Sequence, residues 1–318
     1  MNRTQRLQEL DRTALWHPFT PQQRWTASDP LVIQSGKGCV LVDTEGKTYL
    51  DGTASLWTNV HGHGHPALDQ AVRDQLDELA HSTLLGLTHP TAIELAGALV
   101  DITPKNLTRV FYSDSGSTST EIAVKMAFQA QQQAGHPERC RFATLSDAYH
   151  GDTIGAVSVG GIATFHALFR PLLFEAVVLP APRSPGGAEE DAALQAAIAM
   201  LRAEAHSLAA LIVEPLVQGA AGMKMHSTHY LRTLIDEARG LGILIIADEV
   251  AVGFGRTGSL FAMEQVEREP DFLCLAKGIS GGYLPLAATL ATEKVYEAFL
   301  GSPQENRQFF HGHTYTGN

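Results

Sequence analysis

Two short apolar runs late in the sequence each end on a residue able to do chemistry. Ile243-Leu244-Ile245-Ile246-Ala247 stops at Asp248 and Glu249, and Phe272-Leu273-Cys274-Leu275-Ala276 stops at Lys277. Runs of this length and composition suit strands buried on both faces of a parallel sheet. In such a sheet the C-terminal strand ends face the ligand crevice, so neighbouring strands would set a carboxylate and an amine at the floor of one cleft. Burial disfavours the charged form of a lysine and moves it towards nucleophilic competence. A Schiff-base lysine, with a carboxylate to pair a protonated pyridine nitrogen, is the equipment of pyridoxal-phosphate chemistry. An ordinary ion pair accounts for the same two residues, so the rest of the chain has to decide.

Other stretches offer ligand-binding groups. Ser113-Asp114-Ser115-Gly116-Ser117 lies between a strand pattern and a helix pattern. A Gly-Ser pair opening a helix presents backbone N–H groups, a hydroxyl and the positive dipole end to an anion, although plain capping explains it too. Thr118 and Glu121 fit a capping box, which places the helix start there. Tyr149, in Ala148-Tyr149-His150-Gly151, follows the next strand, where it could stack on a planar cofactor or pack in the core. Glu214-Pro215-Leu216-Val217-Gln218-Gly219 ends another strand with a carboxylate and an amide that can bond a ligand or each other. Gly253-Phe254-Gly255-Arg256-Thr257-Gly258 matches G-x-G-x-x-G. Residues 248–252 separate it from its strand and no helix pattern opens at Gly258, so a nucleotide-dependent oxidoreductase is a distant alternative. His61-Gly62-His63-Gly64-His65 and His311-Gly312-His313 lack a cysteine or carboxylate at ligand spacing. Hydrogen-bonding and helix-start roles are favoured for them, and no metal is expected.

The elements that must position these groups alternate. Strands are expected over 108–113, 141–145, 176–179, 209–214, 243–248, 272–276 and 285–291, with helices over 118–132, 188–205 and 228–239. This alternation implies an α/β fold, a mostly parallel sheet with helices on both faces. Residues 1–60 look different: a short helix, then a small β segment around 31–33, 38–43 and 47–52.

Composition sets outer limits. The chain has 318 residues, 44% hydrophobic and 18% charged, which is globular. Its formal charge of −11, from 23 Lys+Arg against 34 Asp+Glu, argues against nucleic acid or an anionic membrane as partner. Three scattered cysteines suit a reducing compartment. The polar N-terminus carries no signal-peptide core, and no apolar run reaches the ~18–20 residues of a membrane span, so a cytoplasmic protein is expected. Residues 309–318 end on a loop-like motif, suggesting a fragment.

Taken together, these stretches resemble the class III pyridoxal-phosphate aminotransferases, in the family's order and over essentially the whole chain. Trp16-His17-Pro18-Phe19-Thr20, Ser55-Leu56-Trp57, Ala80-His81-Ser82-Thr83-Leu84-Leu85-Gly86, Tyr149-His150-Gly151-Asp152-Thr153 and 311–318 most resemble the branch that converts 8-amino-7-oxononanoate to 7,8-diaminononanoate in biotin synthesis. The resemblance implies a fold-type-I domain over 61–318, with 1–60 the N-terminal segment of a small α+β domain whose C-terminal part is missing. It implies that Lys277 holds pyridoxal 5′-phosphate and moves protons, and that Asp248 pairs the ring nitrogen. Gly116 and Ser117 bind the phosphate, Tyr149 stacks on the ring and Val250 packs behind it. Gly312, His313 and Thr314 complete the phosphate site of a neighbouring subunit in a homodimer with shared active sites. Phe19, Leu56 and Trp57 line the substrate pocket, beside Tyr149 and Lys277.

Two departures bear on the small-molecule amino donor. Some members carry tyrosine where Phe19 stands and paired tryptophans where this chain has Leu56-Trp57, and there the aromatic groups hold the adenine of S-adenosylmethionine. The donor expected here is S-adenosylmethionine or L-lysine, with a keto acceptor. The near alternative is an ω-aminotransferase acting on a diamine or γ-amino acid.

Overall fold

The structure, a computed structural model, describes residues 1–318. The chain forms two compact units, Met1–Glu78 with Gly281–Tyr283, and Leu79–Ser280 with Leu284–Asn318. The first unit reaches beyond residue 60 because the Pro66–Glu78 helix falls within it.

The first unit opens with the helix Arg3–Ala14. Asn2 caps it, accepting from the Gln5 N–H while the Gln5 side chain accepts from the Asn2 N–H, so two otherwise unpaired donors are satisfied reciprocally. A three-stranded antiparallel meander follows: β1 (Ile33–Lys37), β2 (Val40–Asp43) and β3 (Thr48–Leu50). Asp43 fixes the β2–β3 turn by accepting from the Glu45 and Lys47 N–H groups and the Tyr49 hydroxyl, each at 2.9 Å. In the next turn the four non-glycine residues Ala54, Ser55, Leu56 and Trp57 all take left-handed φ values, between 48° and 68°. L-residues disfavour that region by about 1–2 kcal/mol each. Asp51 braces the turn, accepting from the Ser55 N–H and hydroxyl at 2.9 and 2.7 Å and contacting His63 Nε2 at 2.8 Å.

The second unit is built on a seven-stranded sheet of β4 (Leu107–Ser113), β5 (Arg141–Leu145), β6 (Val177–Leu179), β7 (Leu208–Val213), β10 (Leu244–Asp248), β11 (Phe272–Leu275) and β12 (Ala287–Thr292). A short ribbon, β8 (Val217–Gln218) with β9 (Lys224–Met225), leaves the end of β7. The sheet order is β4-β12-β11-β10-β7-β5-β6. β12 runs antiparallel to both its neighbours, and the β11-β10-β7-β5-β6 pairs are parallel.

Side chains alternate between two apolar layers, as the two-residue strand period requires. In β11, Leu273 and Leu275 join one cluster, and Phe272 and Cys274 join the other. The first layer takes Leu194, Ala197 and Leu201 of the Gly187–Glu204 helix, and Leu231, Leu234 and Ile235 of Thr228–Gly240. The second takes Ala123, Ala127 and Ala130 of Gly116–Gln133. Each fully buried Leu or Ile contributes about 1.5–3 kcal/mol. Cover on both faces is why the central strands β7, β10 and β11 are apolar along their length, up to Asp248 at the end of β10.

The Gly116–Gln133 helix begins earlier than its expected start at Thr118. Ser115 is the N-cap, and Thr118 closes the capping box as the N3 residue. Glu121 is drawn elsewhere, accepting from the Thr153 hydroxyl at 2.6 Å and the Ala156 N–H at 3.0 Å.

Candidate active site

The C-terminal ends of β5, β7, β10 and β11 deliver Tyr149 and His150, Glu214, Asp248 and Lys277 in turn, all within the second unit. The expected adjacency of the aspartate and lysine strands holds: β10 and β11 are parallel neighbours.

Asp248 is buried. One of its oxygens accepts from the Val250 N–H at 3.0 Å, and the other lies 2.7 Å from His150 Nδ1. That contact calls for the tautomer with hydrogen on Nδ1, leaving Nε2 buried without a hydrogen-bond partner. Lys277 follows β11 on a left-handed backbone, φ 45°. Burial lowers its amine below the usual lysine range, while Asp248 and Glu214 pull it back up. The net lowering brings the neutral, nucleophilic amine closer to physiological pH.

Tyr149 is held at both ends. Its hydroxyl donates to Asp152 at 2.8 Å and its N–H to Glu214 at 3.1 Å. Burial, followed by Asp152, raises its phenol well above the usual range, so it stays neutral. Glu214 also accepts from the Gly219 N–H at 3.0 Å.

At the start of the Gly116–Gln133 helix, Ser119 donates the first intrahelical bond to Ser115, and the Ser115 hydroxyl takes the Thr118 N–H. The Gly116 and Ser117 N–H groups thus head the helix at its positive end. The Ser117 hydroxyl accepts from the Thr153 N–H at 2.9 Å. Two glycines permit this packing. A Cβ on Gly116 would lie 2.5 Å from Val250 Cγ1, and one on Gly151, at φ 121°, would lie 2.3 Å from Ser117 Cβ. The helix start therefore sits directly against both the Tyr149–Gly151 loop and the residue behind Asp248.

Residues 311–316 lie beside this same helix. His311 Nδ1 is 2.8 Å from Lys125 Nζ, and His313 Nε2 is 3.9 Å from Asp114. Gly312 and Thr314 are exposed. Phe19, Leu56 and Trp57 belong to the first unit, where all three have left-handed φ and Phe19 and Leu56 are exposed. No dinucleotide fingerprint forms at 253–258: the segment is a run of turns, and the next helix starts only at Ala262. Glu249, the second carboxylate after β10, faces away into that helix, accepting from the Ala262 and Met263 N–H groups at 2.7 and 2.8 Å.

The sequence pattern missed three partnerships: His150 with Asp248, Asp152 with Tyr149, and Glu214 with Tyr149. His150 and Asp152 do stand in the quoted Tyr-His-Gly-Asp motif, but nothing local names their partners.

Comparison with known proteins identifies the family. The family profile described as "Aminotransferase class-III" matches residues 22–318. A curated adenosylmethionine-8-amino-7-oxononanoate aminotransferase of Nitratidesulfovibrio vulgaris is 54% identical over all of this chain, which spans 60% of that relative's length. A crystal structure of the protein of that name from Methanocaldococcus jannaschii superposes with a TM-score of 0.94 at 42% identity, over 99% of this chain and 71% of that one. An amine transaminase from an uncultivated Pseudomonas species, solved in its PLP-bound form, gives 0.88 at 36% identity, over 96% and 71%.

The residues present fit pyridoxal 5′-phosphate. A buried carboxylate with lone pairs to spare suits a pyridinium N–H, and a neutral-leaning amine suits an aldehyde. The head of the helix, with the Ser117 hydroxyl, suits a phosphate monoester, and a neutral tyrosine suits a ring face. With the profile covering residues 22–318 and curated relatives and solved structures similar over nearly the whole chain, this chain belongs to the class III aminotransferases, a pyridoxal-phosphate-dependent family.

Proposed function

We propose that the full-length protein transfers an amino group to 8-amino-7-oxononanoate, giving 7,8-diaminononanoate, with S-adenosylmethionine or L-lysine as donor. The observation that carries this is the 54% identity, over all of this chain, to a relative named for that reaction. Asp248, paired with the buried His150 and at the end of the strand neighbouring the one that precedes Lys277, supports the cofactor chemistry this needs.

When bound, pyridoxal 5′-phosphate supplies a carbonyl for amine exchange and a ring that absorbs carbanion charge. Lys277 would hold it, and its amine would be the group placed to carry a proton at the site. Asp248, oriented by His150, would keep the ring nitrogen protonated. Gly116 and Ser117 would hold the phosphate, and Tyr149 and Val250 would pack against the ring. Gly312, His313 and Thr314 reach the phosphate site of a second subunit in a homodimer. Phe19, Leu56 and Trp57 line the substrate pocket, with 1–60 assigned to the small domain and 61–318 to the large one.

The resemblance to amine and ω-transaminases of known structure keeps one competitor in view, transfer from a diamine or γ-amino acid. The test uses the full-length protein, loaded with cofactor and mixed separately with S-adenosylmethionine, L-lysine and a diamine. Loss of the visible absorbance of the lysine-linked cofactor identifies the donor, and mass spectrometry of the acceptor reaction identifies the product. Failure to form diaminononanoate with any donor would sink the proposal, and activity on diamines alone would establish the competitor. Lys277→Ala should remove the absorbance and slow transfer by about 10³-fold or more.

A further inference from the structure

Glu214 has no part in the chemistry above, yet it is buried among the groups that do. It is the first residue beyond β7, 5% exposed, and one carboxylate serves two loops. Oε2 accepts from the Tyr149 N–H at 3.1 Å, beyond β5, and Oε1 accepts from the Gly219 N–H at 3.0 Å. β5 and β7 are parallel neighbours, so the side chain spans two adjacent strand ends at the site's rim. We propose that Glu214 is a positioning residue: its carboxylate clamps the Tyr149 main chain to the Gly219 turn and so sets the aromatic wall of the site.

The chemistry of the group supports this. A carboxylate offers two acceptor oxygens and no donor, which matches two converging backbone N–H groups. An amide would turn an N–H towards one of them and leave a buried clash of donors. Tyr149 is already tied through its hydroxyl to Asp152 at 2.8 Å. With its main chain fixed as well, the ring keeps little freedom to tilt.

The clamp is also coupled to charge. The titratable neighbours are Tyr149 and His150 beyond β5, Asp248 at the end of β10 and Lys277 beyond β11. Burial, reinforced by Asp248 and opposed by His150 and the two N–H groups, pushes the Glu214 acid up to about 7. Ionised, it accepts both bonds and supports the cationic form of Lys277. Protonated, it turns one acceptor into a donor and the clamp loosens.

The proposal rests on the cofactor assignment only in its second readout. The first is amide hydrogen exchange on the full-length protein without cofactor. In Glu214→Gln the Tyr149 and Gly219 amides should exchange about tenfold faster, with distant strands unchanged. The second is a pH titration of the lysine-linked cofactor band. Removing one of two carboxylates beside Lys277 should move its midpoint to lower pH, and the circular dichroism of the bound ring should weaken. If Glu214→Gln fails to fold, Glu214→Asp carries the same exchange test, since it keeps the charge but is one methylene too short to span both donors. Wild-type exchange at both amides in the folded variant, or an unmoved midpoint in Glu214→Gln, overturns the proposal. A wild-type protein with no lysine-linked band defeats the cofactor assignment instead, while the exchange experiment still decides the clamp.

Discussion

The head of the Gly116–Gln133 helix is packed tightly against Val250, and Gly116→Ala probes that contact. The new Cβ would stand 2.5 Å from Val250 Cγ1, 3.1 Å from Cγ2 and 3.4 Å from Cβ. Val250 cannot simply withdraw. Its branched side chain is stiff at χ1, and its N–H is bonded to Asp248 at 3.0 Å. Overpacking of this kind costs about 1–3 kcal/mol, against which alanine returns at most ~1 kcal/mol of helix propensity. Val250→Ala removes the two methyl groups responsible for the shortest contacts, leaving the 3.4 Å Cβ approach as the nearest. The double variant should therefore unfold at higher urea than Gly116→Ala alone, with a coupling of about 1–3 kcal/mol. The helix head moves with the clash, so pyridoxal phosphate should bind Gly116→Ala about 10- to 100-fold more weakly, the equivalent of one charge-assisted hydrogen bond. Unphosphorylated pyridoxal should lose much less. Urea midpoints for the four proteins of the cycle, with cofactor titrations alongside, make the measurement. Additivity of the two substitutions within about 0.5 kcal/mol would show that the helix start yields without Val250, and would refute the reasoning.

Two further substitutions test the buried polar groups. His150→Phe removes the partner of one Asp248 oxygen and should cost about 1.5–3 kcal/mol in urea unfolding, while shifting the pH dependence of the bound cofactor's spectrum. Glu249, buried beside Asp248, has its acid pushed up to about 7 from 4.5, chiefly by burial. A raised acid binds its proton more tightly when folded, so its favourable contribution is present below pH 4.5 and is lost as pH rises through 7, by up to roughly 3 kcal/mol. Glu249→Gln should flatten the fall in stability between pH 5 and 8, and an unchanged slope in urea midpoints across that range would count against the burial of its charge.

The parts of this protein legible in its sequence are those governed by local pattern. The runs that end at Asp248 and Lys277 could be read as neighbouring parallel strands because both faces of the sheet are covered, which leaves these two strands apolar up to their ends. β10 and β11 close within a residue of their expected limits. Reading fails where a distant group outbids a local one. Thr118 and Glu121 form a plausible cap by spacing, but Glu121 is claimed by Thr153, 32 residues on, and Ser115 caps the helix instead. His150 and Asp248 stand 98 residues apart and meet only because β7 alone separates β5 from β10 in the sheet. No window of the sequence contains that fact.

Backbone strain is the least legible layer, and it touches the expected site repeatedly. Phe19, Leu56, Trp57 and Lys277 all hold left-handed φ, in a chain with glycine to spend at many other turns. At about 1–2 kcal/mol each, the four cost as much as several buried methylenes, and side-chain type gives no hint of it. Where the compensation can be traced, it is specific. The turn that carries Leu56 and Trp57 is held by Asp51 through Ser55 and His63, and those bonds bring the Asp51 acid down to about 2, the Ser55 hydroxyl and N–H first. An acid held that low keeps its charge throughout the physiological range, so the brace does not weaken with pH there. A glycine at 56 would relax the backbone and remove the side chain together. Strain that persists at aliphatic and aromatic positions, braced by a permanently ionised carboxylate, is what a fold keeps when the direction of those side chains matters more than the local stability it forgoes.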